Sequence, residues 1–394
     1  MYRTPLSAAR SEQDRDFSRD PTGDQSVHVR YSYLSEQFAE IDDLVEKIRA
    51  FVQTGDFTLG AELSRFEERF ASLIGAPYAI GVGSGTDALK LPLKALGVGP
   101  GDEVITAANT FIATAGAIAE VGARPVFVDC GPTFCLDIDQ LERAITPRTR
   151  AIMPVHFTGY MTDMPRLMEI AERYRLPVVE DACQAILADI GGRRAGTFGL
   201  AGGFSLHPLK NLNVWGDGGV IVTADAALAA KLRLLRNHGL KNRDEVVLLG
   251  CNSRLDTLQA VVGNWLIGSA ESITQGRIER AAHYDQQFAR LRPITLPPRP
   301  SGQRAVYHLY MVHAEDRDGL HAHCLKSGVE SKIHYPIPLY RQEGLRHLGY
   351  RRGDFPVADA HADDVISFPC DQHLGRAQQD RVIEVVREYY GASG

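Results

Sequence analysis

The stretch Phe204-Ser-Leu-His-Pro-Leu-Lys-Asn-Leu-Asn-Val-Trp-Gly-Asp-Gly-Gly219 places Lys210 on a loop between two β-like runs. Twenty-nine positions earlier, Asp181 closes the apolar run Leu176-Pro-Val-Val-Glu-Asp. Singly, the two read as a surface lysine and a helix-capping aspartate. Together and in this order they suit pyridoxal phosphate: a lysine amine condenses with the cofactor aldehyde, and a carboxylate keeps the pyridine nitrogen protonated so that the ring accepts electrons. A buried Asp181 needs a cation or hydrogen bonds to stay ionised, and a pyridinium supplies both.

Outward from this loop the chain alternates short β-branched runs with helical periodicity. Strands are expected over 78–82, 103–106, 125–129, 150–155, 177–180, 203–206 and 219–223. Helices are expected over 38–51, 63–73, 88–96, 114–121, 164–174, 227–240 and 256–275. Continuous rather than alternating apolar runs, spaced by helices, predict an α/β fold: a mostly parallel sheet covered on both faces. Beyond it, a Pro-rich bend near 296–300, a strand over 308–312 and helices over 320–327 and 378–390 predict a smaller α+β C-terminal domain. The expected organisation is a disordered tail over 1–27, a large domain over 28–275 and a small domain over 276–394.

With 394 residues and 44% hydrophobic content, the chain is long enough to bury two such cores. A net charge of −6 offers no electrostatic footprint for nucleic acid or anionic membrane. No apolar run reaches the ~18–20 residues that span a bilayer, and the first residues are polar and charged, so a cytoplasmic location is expected. The six cysteines show neither Cys-x-x-Cys spacing nor zinc-type pairing with histidine, so reduced thiols and no metal are expected. His321 and His323 read as a solvated helix face.

Ligands of open α/β sheets gather at the carboxyl ends of strands. Gly83-Ser-Gly-Thr-Asp follows a strand and opens a helix, where N–H groups and the helix dipole suit a phosphate, although a plain tight turn has the same composition. Phe111, after the next strand, is placed to stack on a pyridine ring or to serve as a core aromatic. Gln184, a turn beyond Asp181, is within reach of the ring's phenolic oxygen, and Ser205 shares a loop with Lys210 and suits the phosphate.

Gly-Ser-Gly-Thr-Asp-Ala-Leu, Asn-Thr-Phe-Ile-Ala-Thr, Val-Glu-Asp-Ala-Cys-Gln, Pro-Leu-Lys-Asn-Leu with Gly-Asp-Gly-Gly, Asn252-Ser-Arg-Leu-Asp-Thr-Leu-Gln-Ala and His334-Tyr-Pro occur in the order of the DegT-type sugar aminotransferases. The chain resembles that family from about Tyr33 to its C-terminal helix. The resemblance implies the type I fold of pyridoxal-phosphate transferases and a homodimer with shared active sites. It implies that Lys210 bonds the cofactor, Asp181 pairs with the ring nitrogen, Gln184 contacts the ring and Phe111 stacks on it. Gly85, Thr86 and Ser205 are implied to bind phosphate, and Asn252 to reach the phosphate of the neighbouring subunit. The implied reaction moves an amino group from L-glutamate to a keto sugar, in amino-sugar and antibiotic biosynthesis.

His207 stands where many members carry an aromatic residue, and Cys251 precedes Asn252 where an aromatic or aliphatic residue is common. With the segment 334–344, these features resemble a subgroup that aminates 3-oxo-glucose 6-phosphate in kanosamine synthesis, which makes that sugar phosphate the expected substrate. His207, His334 and Arg341 would then pair with the phosphate dianion, with Tyr335 beside them and Arg254 a candidate for the donor carboxylate. Nucleotide-linked keto sugars are the alternative substrates. Rival functions are a sugar 3-dehydrase, which resembles this family but has histidine in place of Lys210, a catalytically idle regulatory protein on the same fold, and a nicotinamide-dependent dehydrogenase. The intact Lys210 and Asp181 and the missing dinucleotide fingerprint disfavour all three.

Overall fold

A computed structural model describes residues 28–391; the tail expected over 1–27 lies outside the described residues. One seven-stranded sheet organises the large body. From edge to edge its strands are Tyr78–Val82, Gly219–Thr223, Ala201–Ser205, Val179–Asp181, Thr149–Met153, Glu103–Ala107 and Arg124–Val128. Bridges from Ile152 to Val178 and from Val155 to Asp181 join its two halves. Neighbouring strands are parallel except at Gly219–Thr223, which runs antiparallel to both neighbours. Parallel neighbours need a helical crossover, whereas 206–218 is a loop that turns straight back, so the direction reverses there. The chain has the predicted α/β fold with a mostly parallel sheet, and Lys210 sits on the loop at its single reversal.

Strands Glu103–Ala107, Ala201–Ser205 and Gly219–Thr223 are buried along their whole length. Helices Gly85–Ala95, Ile112–Glu120 and Met164–Tyr174 lie between the strands in sequence, Ala226–Leu235 follows the last of them, and together they cover the sheet, as continuous apolar strands require.

Three expected helices differ in where they break or end. The one expected over 38–51 runs from Asp42 to Thr54, with a separate short helix Leu34–Gln37 before it, because Phe38 and Ile41 pack on the Leu44, Phe51 and Val262 cluster from a turn rather than from a helix. The one expected over 227–240 ends at Leu235, where His238 and Gly239 take left-handed backbone and turn the chain. The one expected over 256–275 divides into Thr257–Leu266 and Ala270–Phe288 around a single 3-10 turn. The second of these crosses the expected domain boundary at 275/276.

The smaller body is an antiparallel sheet of Ile294–Thr295, Tyr310–Ala314 and Val365–Phe368, the first and last unforeseen, packed with Arg317–Lys326, Arg376–Tyr389 and Ala270–Phe288. Its core around Tyr284, Phe288, Tyr310 and Phe368 is distinct from that of the large body. Arg299, from the Pro-rich bend, clamps the two: it pairs with Asp285 at 2.6 Å and lies 5.4–5.8 Å from the ring centres of Tyr160, Tyr307 and Tyr310. No helix among the described residues is long and apolar enough to cross a membrane.

Candidate active site

Strand Val179–Asp181 carries two carboxylates, and the twofold alternation of a strand sends them to opposite faces. Glu180 faces the protein interior, accepting from the backbone N–H groups of Gly196, Phe198 and Gly199 at 2.6–2.8 Å. It also meets His156 Nε2 at 2.9 Å. His156 Nδ1 accepts from the Thr162 N–H, so the imidazole proton is on Nε2 and donates to Glu180. Asp181, 5% exposed, faces a pocket of about 340 Å³ at the carboxyl end of the sheet. Its Oδ2 accepts from Thr114 Oγ1 at 2.7 Å and its Oδ1 from the Cys183 N–H at 3.1 Å.

Lys210 enters the same pocket from the loop. The loop is held by a Lys210 N–H donation to the His207 carbonyl at 2.8 Å, and by Asn213 Nδ2 donating to the Lys210 carbonyl at 2.9 Å. Burial pushes the Lys210 amine below the ordinary lysine range, against the opposing pull of Cys183 and Asp181. Gln184 Oε1 accepts from the Thr158 N–H at 2.7 Å, which leaves the Gln184 NH₂ group to donate elsewhere. The Tyr335 hydroxyl is pushed above the ordinary tyrosine range, chiefly by burial and then by Asp181, with Gln184 opposing.

Gly85 and Thr86 form the first turn of helix Gly85–Ala95, three residues before its expected start, with the Ser84 hydroxyl capping the Asp87 N–H at 3.1 Å. The first N–H groups of a helix have no partner within it. Gly85 meets the end of strand Ala201–Ser205: a Cβ there would lie 2.7 Å from Ser205 Cβ and 3.0 Å from its Oγ. Only glycine allows so close an approach. Phe111, 52% exposed, precedes helix Ile112–Glu120 and lines the pocket with its ring centre 6.1 Å from that of Tyr335. His207 and His334 line it too.

Asn252 and Arg254 do not line this pocket. Asn252 is exposed and bridges to Asn237, whose Oδ1 accepts from Arg254 Nη1 at 3.3 Å. Residues that sequence reasoning missed are Thr114, Cys183, His308 and Asp217, all on the pocket wall. Thr114 stands at the end of the quoted Asn-Thr-Phe-Ile-Ala-Thr motif, one helical turn after Thr110, and that spacing was its available signal. His308 was hidden in a strand signal; its Nδ1 is buried without a partner, and burial holds its imidazole well below the ordinary histidine range.

The expected phosphate dianion finds little positive charge. Burial, aided by Lys332 and Lys210, pushes His334 down to about 4, so it is neutral at neutral pH, and its Nδ1 is tied to Ser367 Oγ at 2.9 Å. Arg341 lies off the pocket wall and pairs with Asp359 at 3.6 Å.

These residues fit pyridoxal phosphate: an amine of lowered proton affinity, a carboxylate with lone pairs to spare, and a glycine-floored helix start beside a serine. The sequence profile of the DegT/DnrJ/EryC1/StrS aminotransferase family matches residues 39–387. The chain is 41% identical over 354 residues to dTDP-3-amino-3,4,6-trideoxy-alpha-D-glucose transaminase of Streptomyces venezuelae, covering 89% of this chain and 92% of that protein. It is 41% identical over 365 residues to UDP-N-acetyl-3-dehydro-alpha-D-glucosamine 3-aminotransferase of Acidithiobacillus ferrooxidans, covering 92% and 98%. The crystal structure of S. venezuelae DesV superposes with a TM-score of 0.91 at 39% identity, covering 93% of this chain and 100% of that one.

Proposed function

Because the chain belongs to the DegT/DnrJ/EryC1/StrS aminotransferase family, and is thus a pyridoxal-phosphate-dependent sugar aminotransferase, we propose that it transfers the amino group of L-glutamate to a keto sugar carried on a nucleoside diphosphate. The carrying observation is the likeness, over nearly their whole length, to transaminases whose names specify dTDP- and UDP-linked sugars. The sugar 6-phosphate expected from residues 334–344 has weaker support, since His334 is neutral at neutral pH and Arg341 is engaged by Asp359.

When bound, pyridoxal phosphate supplies an aldehyde that captures amines and a ring that accepts electrons. Lys210 Nζ anchors it covalently. Once free, the same amine takes a proton from the substrate carbon and returns it one position away, a task suited to a lysine of lowered proton affinity. Asp181 would hold the ring nitrogen and its proton, and the Gln184 NH₂ group would donate to the phenolic oxygen. Phe111 would stack on the ring, while Gly85, Thr86 and Ser205 would hold the phosphate.

Asn252, exposed and off the pocket of its own chain, reaches the phosphate in a second copy, which makes the working unit a homodimer. His207, His334 and Tyr335 face the substrate, and Arg254, off the pocket of its own chain like Asn252, would meet the donor carboxylate in the second copy. The test is a panel of dTDP- and UDP-linked keto sugars and 3-oxo-glucose 6-phosphate, each with glutamate, following release of 2-oxoglutarate. Turnover is expected with a nucleotide-linked sugar. Turnover confined to the sugar phosphate overturns the substrate assignment.

A further inference from the structure

We propose that Thr114, with Thr110 behind it, is a positioning residue that keeps Asp181 ionised and the shared proton on the cofactor's ring nitrogen. The proposal rests on the assignment of Asp181 to that nitrogen. Thr114 is 0% exposed, on helix Ile112–Glu120, and its Oγ1 lies 2.7 Å from Asp181 Oδ2. Thr110, also buried, places its Oγ1 2.9 Å from Thr114 Oγ1, a contact in which geometry permits either hydroxyl to donate.

The chemistry of the carboxylate settles the direction. An ionised carboxylate only accepts, and a threonine hydroxyl has a single proton. Thr114 therefore donates to Asp181, and Thr110 donates to Thr114. The relay runs one way and ends on the carboxylate, with the Cys183 N–H supplying a second donor to the other oxygen. Donors aimed at a carboxylate favour its charged form, and in a buried chain each hydrogen bond polarises the next. If the proton moved from the ring to the carboxylate, Thr114 Oγ1 and the Cys183 N–H would be left donating to a neutral acid, a weaker acceptor than the anion, so the relay favours the proton on the ring. A threonine hydroxyl placed there only to fill space would exert no such bias.

The holoenzyme reconstituted with pyridoxal phosphate labelled with ¹⁵N in the ring tests this by NMR, because the ring-nitrogen shift reports its protonation directly. Wild type and Thr114→Ser are expected to show a protonated nitrogen. Thr114→Val should move the signal toward the unprotonated position and lower kcat about tenfold, the loss of one hydrogen bond to a charged group. Thr110→Val should shift it in the same direction by less. A folded Thr114→Val holoenzyme with the wild-type shift overturns the proposal. If that variant does not fold, an unchanged shift in Thr110→Val overturns it instead. An unprotonated nitrogen in the wild type would remove the Asp181 assignment beneath it, a failure distinct from that of the relay.

Discussion

The roles proposed for Lys210 and Asp181 require one to be a nucleophilic amine and the other an anion, and both side chains line the same pocket. Lys210→Ala is expected to abolish multiple turnover with glutamate while the far-ultraviolet circular dichroism stays that of the wild type; retained turnover would refute the assignment. Asp181→Asn is expected to cut kcat roughly a thousandfold at saturating cofactor, the scale of breaking a buried charge pair. Near wild-type turnover would make Asp181 a structural residue. His361 affects stability instead. It is 2% exposed, packs edge-on against Phe134 at 4.9 Å, and is pushed down to about 4 chiefly by burial, then by His313, against Asp364. Its folded value lies below the unfolded 6.5, so the unfolded chain takes up the proton first. Stability is full above 6.5 and falls as the pH drops from 6.5 to 4, by on the order of 3 kcal/mol. Denaturant unfolding at pH 7.5 and pH 5 should show this loss reduced in His361→Leu, and equal losses in both proteins would count against it.

At the scale of elements, the pocket depends on how closely a helix start approaches two strand ends. A Cβ on Gly85 would crowd Ser205, and one on Gly219 would lie 2.2 Å from the Ser84 carbonyl oxygen. Gly85→Ala is therefore expected to weaken pyridoxal phosphate binding by about tenfold or more, the cost of roughly one displaced charged hydrogen bond, and to lower the Tm of the apoprotein through the crowding of Ser205. Titrating apoprotein with cofactor checks it; unchanged affinity would place the phosphate elsewhere. Strand and helix types were readable because continuous apolar runs and 3.6-residue periodicity have different lengths and spacings. Helix ends were less so: Phe38 and Ile41 match helical spacing yet pack from a turn, and Gly85 opens its helix earlier than the apolar pattern begins.

At the scale of the molecule, Arg299 and its tyrosine ring join two separate cores, and one side of the large body shows apolar surface at Val246, Val247 and Leu249, the last 84% exposed. These residues flank Asn252 in sequence and suit a face covered by a second copy. The proposed homodimer predicts that mixing Lys210→Ala chains with Asn252→Ala chains restores activity, since one site of each heterodimer escapes both defects. About a quarter of wild-type turnover is the expected ceiling if half of the dimers are mixed and one of their two sites works. An active monomer by sedimentation, or no rescue after demonstrated subunit exchange, would refute the shared site.

By itself the sequence determined the α/β fold, the family and the convergence of Lys210, Asp181, Gln184, Ser205, Gly85 and Thr86 on one pocket. Strand order and residue chemistry carry that information, because ligands of such sheets collect at the carboxyl ends of the strands. Tertiary structure alone decided the rest. It joined Thr114 to Asp181 across 67 positions, brought in His308 from the smaller body, and left Asn252 and Arg254 off the pocket of their own chain. It also removed charge where the sequence had suggested a phosphate clamp, by burying His334 against Ser367 and turning Arg341 to Asp359. Burial and the identity of a hydrogen-bond partner are properties of the space around a side chain, and that space is set by residues remote in the chain.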